Sequence, residues 1–336
     1  MSIELTSLTA TDAEDWNSYV DRAPNASPFH YYEALELLAR ETDATLYTLA
    51  GFKGQEPVGI LPLFERTVGP FRFVVSPPEL EVYSLGPVVL NATQLTQRKR
   101  ERRHRRFVER ALDWIDTTLS PAYIDIRTVA EYDDLRPFIW KDFDVTPSYT
   151  YHVALTPTED ALLGSFSRDA RKSIRAFSSG SAAVSIEAGD RSAIATIIEG
   201  VADRHRQQGK TYALSVDFVE RLADRLPDTA MTVYGVRADG RPVGGMITLA
   251  HGETIYRWQG GAKPDGPLES NAILDWEIMT DAKARGFERY DLVGANLPRL
   301  CRYKAKFDPT PTEYYVARRR SSALSAASSI KRLLSV

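Results

Sequence analysis

The sequence predicts an α/β protein of two tandem domains, each with a central mixed β-sheet flanked by helices. The chain has 336 residues, which suggests two domains of about 100–200 residues each. A strand–turn–strand pattern followed by a helix and a further strand occurs in each half. The apolar fraction of 43% and the charged fraction of 26% are ordinary for a globular protein, so each half is expected to bury a core.

The pattern is clearest in the second half. Residues 231–236 and 242–249 are predicted strands, and Asp239-Gly240 between them is typical of a hairpin turn. A third strand is predicted at 254–261, before a loop rich in Gly and Pro.

A helix and a short strand complete this half. Residues 270–285 have apolar side chains at helical spacing, and Gly286 is predicted to end the helix. The apolar segment at 287–293 is a predicted strand. Because a helix leads into it, it is expected to lie parallel to a neighbouring strand.

The first half shows the same order of elements. Strands are predicted at 45–52 and 57–63, a helix around 111–115, and a closing strand at 122–127. We interpret the two halves as a duplicated unit. Chance similarity between two common patterns is the alternative.

The boundary between the halves is predicted near a segment flanked by two prolines, Pro147 and Pro157. We therefore expect an N-terminal domain at 1–147, a C-terminal domain at 148–317 and a tail at 318–336. The tail is basic and rich in Ser and Ala. It is predicted to be disordered, or alternatively to form a short amphipathic helix that touches a membrane.

Charge and cysteine content exclude several classes of protein. The net charge is -3, so no overall positive field attracts DNA. A single cysteine, Cys301, rules out a disulfide framework and a cysteine-rich metal site, and the five histidines lack a metal-ligand pattern. No signal peptide or membrane-spanning stretch is recognised. We therefore expect a cytoplasmic protein without a metal, with peripheral contact at the inner membrane face as an option for the tail.

One segment, 97–110, is strongly basic and is predicted to start a long helix. It is interpreted mainly as a solvated helix face. Contact with the phosphates of tRNA or of anionic lipid is the alternative.

Five local motifs occur in an order that is similar to a known family. They are Ala26-Ser27-Pro28-Phe29-His30, 167–175, 271–277, 284–291 and 300–307. In their order and spacing they resemble the FemAB-like branch of the GNAT acyltransferases, over nearly the whole chain. The resemblance implies two tandem GNAT-like domains and transfer of an acyl group to an amine.

The resemblance leaves the donor open. It implies no tightly bound cofactor, with either acyl-CoA or aminoacyl-tRNA as co-substrate, and a small-molecule or lipid-linked amine as acceptor. Residues 266–272 correspond to the GNAT phosphate loop but lack its usual signature. A non-catalytic pair of GNAT units that binds a ligand is therefore a further alternative.

Three residues are predicted to form the catalytic site. In the family that this sequence resembles, an aromatic–lysine pair lies near the reacting end of the donor, and Tyr303-Lys304 fits that pair. A lysine there would stabilise the developing oxyanion. Asp291, within a predicted strand, is either a general base or a structural hydrogen-bond acceptor.

The predicted binding residues lie on three segments. A basic cluster opens a helix and would hold a phosphate or carboxylate, unless it is a solvated face: Arg168, Arg171, Lys172 and Arg175. Ser270 and Asn271 open the next helix, where backbone N–H groups favour anions. On the third strand, alternation puts Tyr256 and Trp258 on one face, and Arg257 and Gln259 on the other. One pair is expected to line the cleft and the other to pack in the core, so a core position is the alternative for Tyr256 and Trp258.

Overall fold

This computed structural model describes residues 2–179, 184–262 and 270–325. Its strands are β1 (Glu4–Leu8), β2 (Thr45–Lys53), β3 (Glu56–Val68), β4 (Phe71–Ser76), β5 (Val88–Val89), β6 (Tyr123–Arg127), β7 (Asp144–Ala154), β8 (Val184–Ala188), β9 (Met231–Ala238), β10 (Arg241–His251), β11 (Thr254–Ala262), β12 (Arg289–Asp291) and β13 (Thr310–Arg320). Its helices are α1 (Ala13–Asp21), α2 (Tyr32–Glu41), α3 (Gln97–Trp114), α4 (Arg136–Ile139), α5 (Glu159–Ser165), α6 (Arg168–Ser178), α7 (Ala193–Gln207), α8 (Val216–Arg225), α9 (Ser270–Ala284) and α10 (Pro298–Lys304). Most of the predicted phosphate loop and most of the predicted tail lie outside the described residues.

Residue contacts divide the chain into two compact units. The first comprises Met1–Ser148 together with Glu313–Val336, and the second comprises Tyr149–Thr312. This differs from the predicted division, because β13 belongs largely to the first unit. Its residues pair with β6 from Val316 opposite Arg127 to Arg320 opposite Tyr123. The start of the predicted tail is therefore a strand.

The first unit has strands in the order β1-β2-β3-β4-β6-β13. The pair β4–β6 is parallel, from Phe73 opposite Tyr123 to Ser76 opposite Ile126, and its other neighbours are antiparallel. α3 lies between β4 and β6 along the chain and packs on β3. The Phe107 ring of α3 lies so close to the sheet that a Cβ atom at Gly59 would lie 2.5 Å from it. Glycine is therefore required at that position.

The second unit has strands in the order β8-β9-β10-β11-β12-β7. Its pair β11–β12 is parallel, and the other neighbours are antiparallel. Helices cover both faces of the sheet. On β9, the Tyr234 hydroxyl donates to Asp281 of α9, whereas the next residue, Gly235, faces Ala193 of α7. Since neighbouring residues of a strand point to opposite faces, α7 and α9 lie on opposite sides.

The two units repeat one strand order, which is what a duplicated pattern requires. In each, a three-stranded antiparallel run leads through a helix into a strand parallel to the third. The predicted α/β fold with mixed sheets flanked by helices is therefore confirmed, and so is the parallel placement of the strand near 287–293.

The residues that the structure describes show neither a membrane-spanning helix nor a cluster of metal ligands. None of their helices is long and apolar enough to cross a bilayer. Within the same ranges, no group of three or more His, Cys, Asp or Glu side chains is arranged to hold a metal ion. Cytoplasmic location and peripheral membrane contact stay predictions.

Candidate functional site

The parallel pairing of β11 with β12 in the sheet of the second unit is short, and β11 continues beyond it. Pairing starts at Thr254 opposite Arg289 and ends at Tyr256 opposite Asp291. β11 continues to Ala262 beside β10, while the chain after Asp291 bends at Val293 (φ 50°) and Gly294 (φ 78°). Beyond the last pair the two strands separate, and backbone groups of β11 no longer have β12 as a partner.

A fully buried carboxylate, Asp275 of α9, lies on one face of this pair. Its Oδ1 accepts hydrogen bonds from Arg257 Nε (2.8 Å) and from the Tyr290 hydroxyl (2.7 Å), and its Oδ2 accepts one from the Tyr303 hydroxyl (2.7 Å). Burial is the largest influence and acts to lower the pKa of Arg257, but Asp275, Tyr303 and Tyr290 together outweigh it, and the pKa is raised. Burial, reinforced by Asp275, raises the pKa of Tyr290, so its hydroxyl keeps its proton.

A second buried carboxylate, Asp291, lies on the opposite face, because it follows Tyr290 in β12. Its Oδ1 accepts hydrogen bonds from the Thr150 hydroxyl and from the Val293 N–H (2.7 Å). Its Oδ2 is 3.4 Å from His152 Nε2. Asp291 is therefore held by β7 on one side and by the bend after β12 on the other.

Lys304, at the end of α10, lies at the bend that follows β12, between the hydrogen bonds of Asp275 and those of Asp291. Its Nζ donates to the carbonyl oxygens of Val293 and Gly294, and the residue is only 4% exposed. Burial and the nearby Arg257 lower the pKa of Lys304 to about 8, although Asp291 and Asp275 act in the other direction. A buried amine with such a pKa changes charge close to physiological pH.

The structure brings the three predicted catalytic residues, Tyr303, Lys304 and Asp291, to the end of the β11–β12 pair. Their catalytic roles stay predictions. Sequence reasoning missed Asp275 and Arg257 as members of this site. The signal for Asp275 was a carboxylate inside the apolar run of a helix, where an unpaired charge would be too costly to bury.

A β-bulge corrects the prediction for the third strand. The register between β10 and β11 shifts between Ile247 and Thr248, so Trp258 is an extra residue in β11. Arg257 consequently points to Asp275 of α9, whereas Gln259 accepts a hydrogen bond from Tyr212, which follows α7 (2.8 Å). Arg257 and Gln259 therefore face opposite ways, because a bulge interrupts simple alternation.

Two aromatic residues predicted to bind ligand are on this strand. Trp258 is 6% exposed, and Tyr256 is half-buried beside Asp291. Burial raises the pKa of Tyr256, with a further rise from Asp291, so its hydroxyl stays protonated. A role of either in binding stays a prediction.

The basic cluster on α6 separates into two parts. Arg168, Lys172 and Arg175 are exposed along one side of the helix. Arg171 instead donates through Nη1 to the carbonyl oxygens of Gly164 (2.9 Å) and Phe166 (2.5 Å), at the end of α5. Nη1 of Arg171 therefore stabilises the end of α5. Anion binding by the cluster stays a prediction.

The Asn271 side chain links the start of α9 to the end of β11. Its Oδ1 accepts from the Ala262 N–H (2.9 Å) and its Nδ2 donates to the Ala262 carbonyl (3.0 Å). Because one side chain satisfies both backbone groups, Asn271→Ala should lower the free energy of unfolding by about 1–3 kcal/mol. Urea unfolding measures the loss. Ser270→Ala is the control, and equal losses in the two variants would contradict this role.

Comparisons with known proteins find a family match within the second unit. Residues 164–305 match the family model described as "Acetyltransferase (GNAT) domain". Among curated proteins, no sequence matches the chain. The crystal structure of FemX is similar with a TM-score of 0.71 and 14% identity, over 93% of this chain and 96% of that chain.

Two further solved structures cover nearly the whole chain. The C-terminal domain of an Agrobacterium fabrum protein assigned as lysylphosphatidylglycerol synthetase has a TM-score of 0.57 and 16% identity, over 97% of both chains. L-PGS from Bacillus licheniformis has a TM-score of 0.56 and 13% identity, over 94% of both chains. At these identities the likenesses show the fold. Residues 164–305 therefore form a GNAT acetyltransferase domain, and the chain shares the fold of FemX over nearly its full length.

Proposed function

We propose that this enzyme is an N-acyltransferase that moves an acyl group from acyl-CoA to an amine acceptor. The observation that carries the proposal is the end of the β11–β12 pairing at Tyr256 and Asp291, inside the GNAT domain, with the buried Lys304 at the bend that follows β12. The acyl carbon of the donor would lie near Lys304.

The edge of β11 beyond Tyr256 suits an extended donor that carries amide groups, as acyl-CoA does. The backbone of β11 beyond Tyr256 has lost β12 as a neighbour, so it can pair with the donor as it would with a strand. The start of α9 favours the donor phosphates. α6 packs against α9, and its exposed cations Arg168, Lys172 and Arg175 add positive charge on that side.

Acyl transfer then needs a neutral amine, a stabilised oxyanion and a proton acceptor. The amine nitrogen attacks the thioester carbon, and a C–N bond forms as the carbonyl oxygen becomes negative. The Lys304 ammonium stabilises that charge. The amine proton passes to the pair His152–Asp291, which afterwards releases it to solvent. The C–S bond breaks, and the leaving thiolate takes a proton from solvent. Tyr303, whose hydroxyl is bound to Asp275, holds the wall of the site in place.

Aminoacyl transfer from tRNA to a peptide or lipid-linked envelope precursor is the second candidate. The fold that this chain shares with FemX and with lysylphosphatidylglycerol synthetase favours this candidate, since the name of the second protein describes a lysyl group carried by a lipid. Exposed cations on α3, among them Arg98, Lys99 and Arg102, offer contacts for phosphates. A non-catalytic ligand-binding pair of GNAT units is the third.

Thermal unfolding with acetyl-CoA tests the donor. At 100 times its dissociation constant, a ligand that binds only the folded state adds about 2.7 kcal/mol of stability, so the unfolding midpoint should rise. ATP at the same concentration controls for general attraction of polyphosphates. No rise, or an equal rise with ATP, would contradict the acyl-CoA proposal, and charged tRNA would be the next ligand to measure.

A further inference from the structure

The first unit contains a cavity that the proposed acyl transfer does not use. Its volume is about 400 Å³, which falls in the range of about 300–1,000 Å³ typical of small-molecule sites. The wall is formed by the end of α1, by β5 and the segment after it, by the first turns of α3, and by the segment that follows β6. All of these elements belong to the first unit.

Three polar side chains in the wall have buried atoms without a hydrogen-bond partner among the described residues. They are both ring nitrogens of His104, the Tyr132 hydroxyl and Arg100 Nε. His104 is only 5% exposed, and its ring meets that of Tyr132 edge-on at a centroid distance of 4.9 Å. A buried polar group without a hydrogen-bond partner is costly, so three such side chains on one cavity point to a ligand that binds them.

The protonation of these groups defines what the ligand must offer. Burial lowers the pKa of His104; Asp134 and Asp133 act to raise it, and Arg136 lowers it further. The neutral imidazole has one donor and one acceptor nitrogen. Burial raises the pKa of Tyr132, and the same two carboxylates reinforce this, so its hydroxyl remains protonated. The ligand therefore needs both hydrogen-bond donors and acceptors.

Charged side chains of both signs line the cavity. Arg22 and Arg100 contribute cations, and Glu131 and Asp133 contribute carboxylates. The two carboxylates would repel a purely anionic ligand, and the two guanidinium groups would repel a purely cationic one. A molecule that carries one charge of each sign complements both.

We propose that this cavity binds a zwitterionic amino carboxylate, either an α-amino acid or a short peptide. The ligand carboxylate pairs with Arg100, whose guanidinium matches it in geometry. The ammonium group lies toward Glu131 and Asp133, and the remaining polar atoms hydrogen-bond His104 and Tyr132.

Calorimetric titration of the full chain with the twenty L-amino acids and with glycylglycine tests the proposal. We expect saturable binding of at least one of these compounds. Its N-acetyl derivative and its C-terminal amide each lack one charge, so each should bind at least tenfold more weakly. No binding by any of them would overturn the proposal, and so would equal binding by the N-acetyl derivative or by inorganic phosphate.

Matched variants locate the site. Arg100→Gln should weaken binding of the parent compound about tenfold but leave that of its amide unchanged. Arg105→Gln is the control, because Arg105 is on the same helix and also has an unpartnered buried Nε among the described residues but does not line the cavity. Equal weakening in both variants would overturn the placement.

A spectroscopic readout covers the case in which a variant fails to fold. In NMR spectra of the wild-type chain labelled at histidine, an imidazole nitrogen signal, that of His104, should shift when the amino acid saturates the site. The variant Tyr132→Phe should reduce that shift. Unchanged histidine signals in the presence of a bound amino acid would overturn the site. These readouts report binding alone, so they do not depend on whether acyl-CoA is the donor.

Discussion

Asp275→Ala is expected to lower the free energy of unfolding of the second unit by about 3–5 kcal/mol, because it leaves the charge of Arg257 buried without its partner. The Tyr290 and Tyr303 hydroxyls lose their acceptor in the same step. Urea unfolding followed by circular dichroism measures the loss.

The control for this prediction is Asp281→Ala on the same helix. Asp281 accepts hydrogen bonds from Tyr234 and Arg285, but its side chain is 39% exposed. Water can replace its partners, so a loss of about 1 kcal/mol is expected. The double variant Arg257→Met/Asp275→Leu should recover much of the stability, since apolar replacement of a buried ion pair is often neutral. A loss no larger for Asp275→Ala than for Asp281→Ala would contradict the argument.

Much of this fold follows from local sequence patterns. Alternation and helical spacing predicted β9, β10, β11 and α9 close to their observed ends, because each buries one regular face. The bulge at Trp258 was beyond prediction, since it depends on how β10 and β11 pair. The pairing of β13 with β6 also depends on residues far apart in the chain.

Part of the candidate site could also be predicted from local sequence patterns. Tyr303, Lys304 and Asp291 were found through motifs that keep their order along the chain. Asp275 and Arg257 form their contact only after the sheet and α9 have packed, so no local pattern reports it. The basic start of α3 is interpreted from the sequence mainly as a solvated face. Arg98, Lys99 and Arg102 are exposed, as that interpretation expects, while His104 of the same helix is almost completely buried.

Lys304→Met is expected to lower kcat/KM for acyl transfer from acetyl-CoA to the best primary amine of a screened panel by about 10²–10³, the usual cost of losing one group that stabilises an oxyanion. The pH dependence of kcat/KM in the wild-type enzyme should reflect the ionisation of the same residue. Because the pKa of Lys304 is lowered to about 8, the ammonium is present below that pH and is lost above it. The value of kcat/KM should therefore fall as pH rises through about 8, and the variant should lack this fall.

Lys283→Met is the matched control for that variant. Lys283 is also in the second unit, and its Nζ likewise donates to backbone carbonyls, those of Leu155 and Pro157 (both 2.6 Å). Removing it costs similar hydrogen bonds but leaves the end of the β11–β12 pair untouched. If both variants lose the same activity, the effect of Lys304 is general destabilisation. If only Lys304→Met loses activity but the fall above pH 8 persists in it, another group titrates there, and Lys304 holds the bend at Val293 and Gly294 without stabilising the oxyanion.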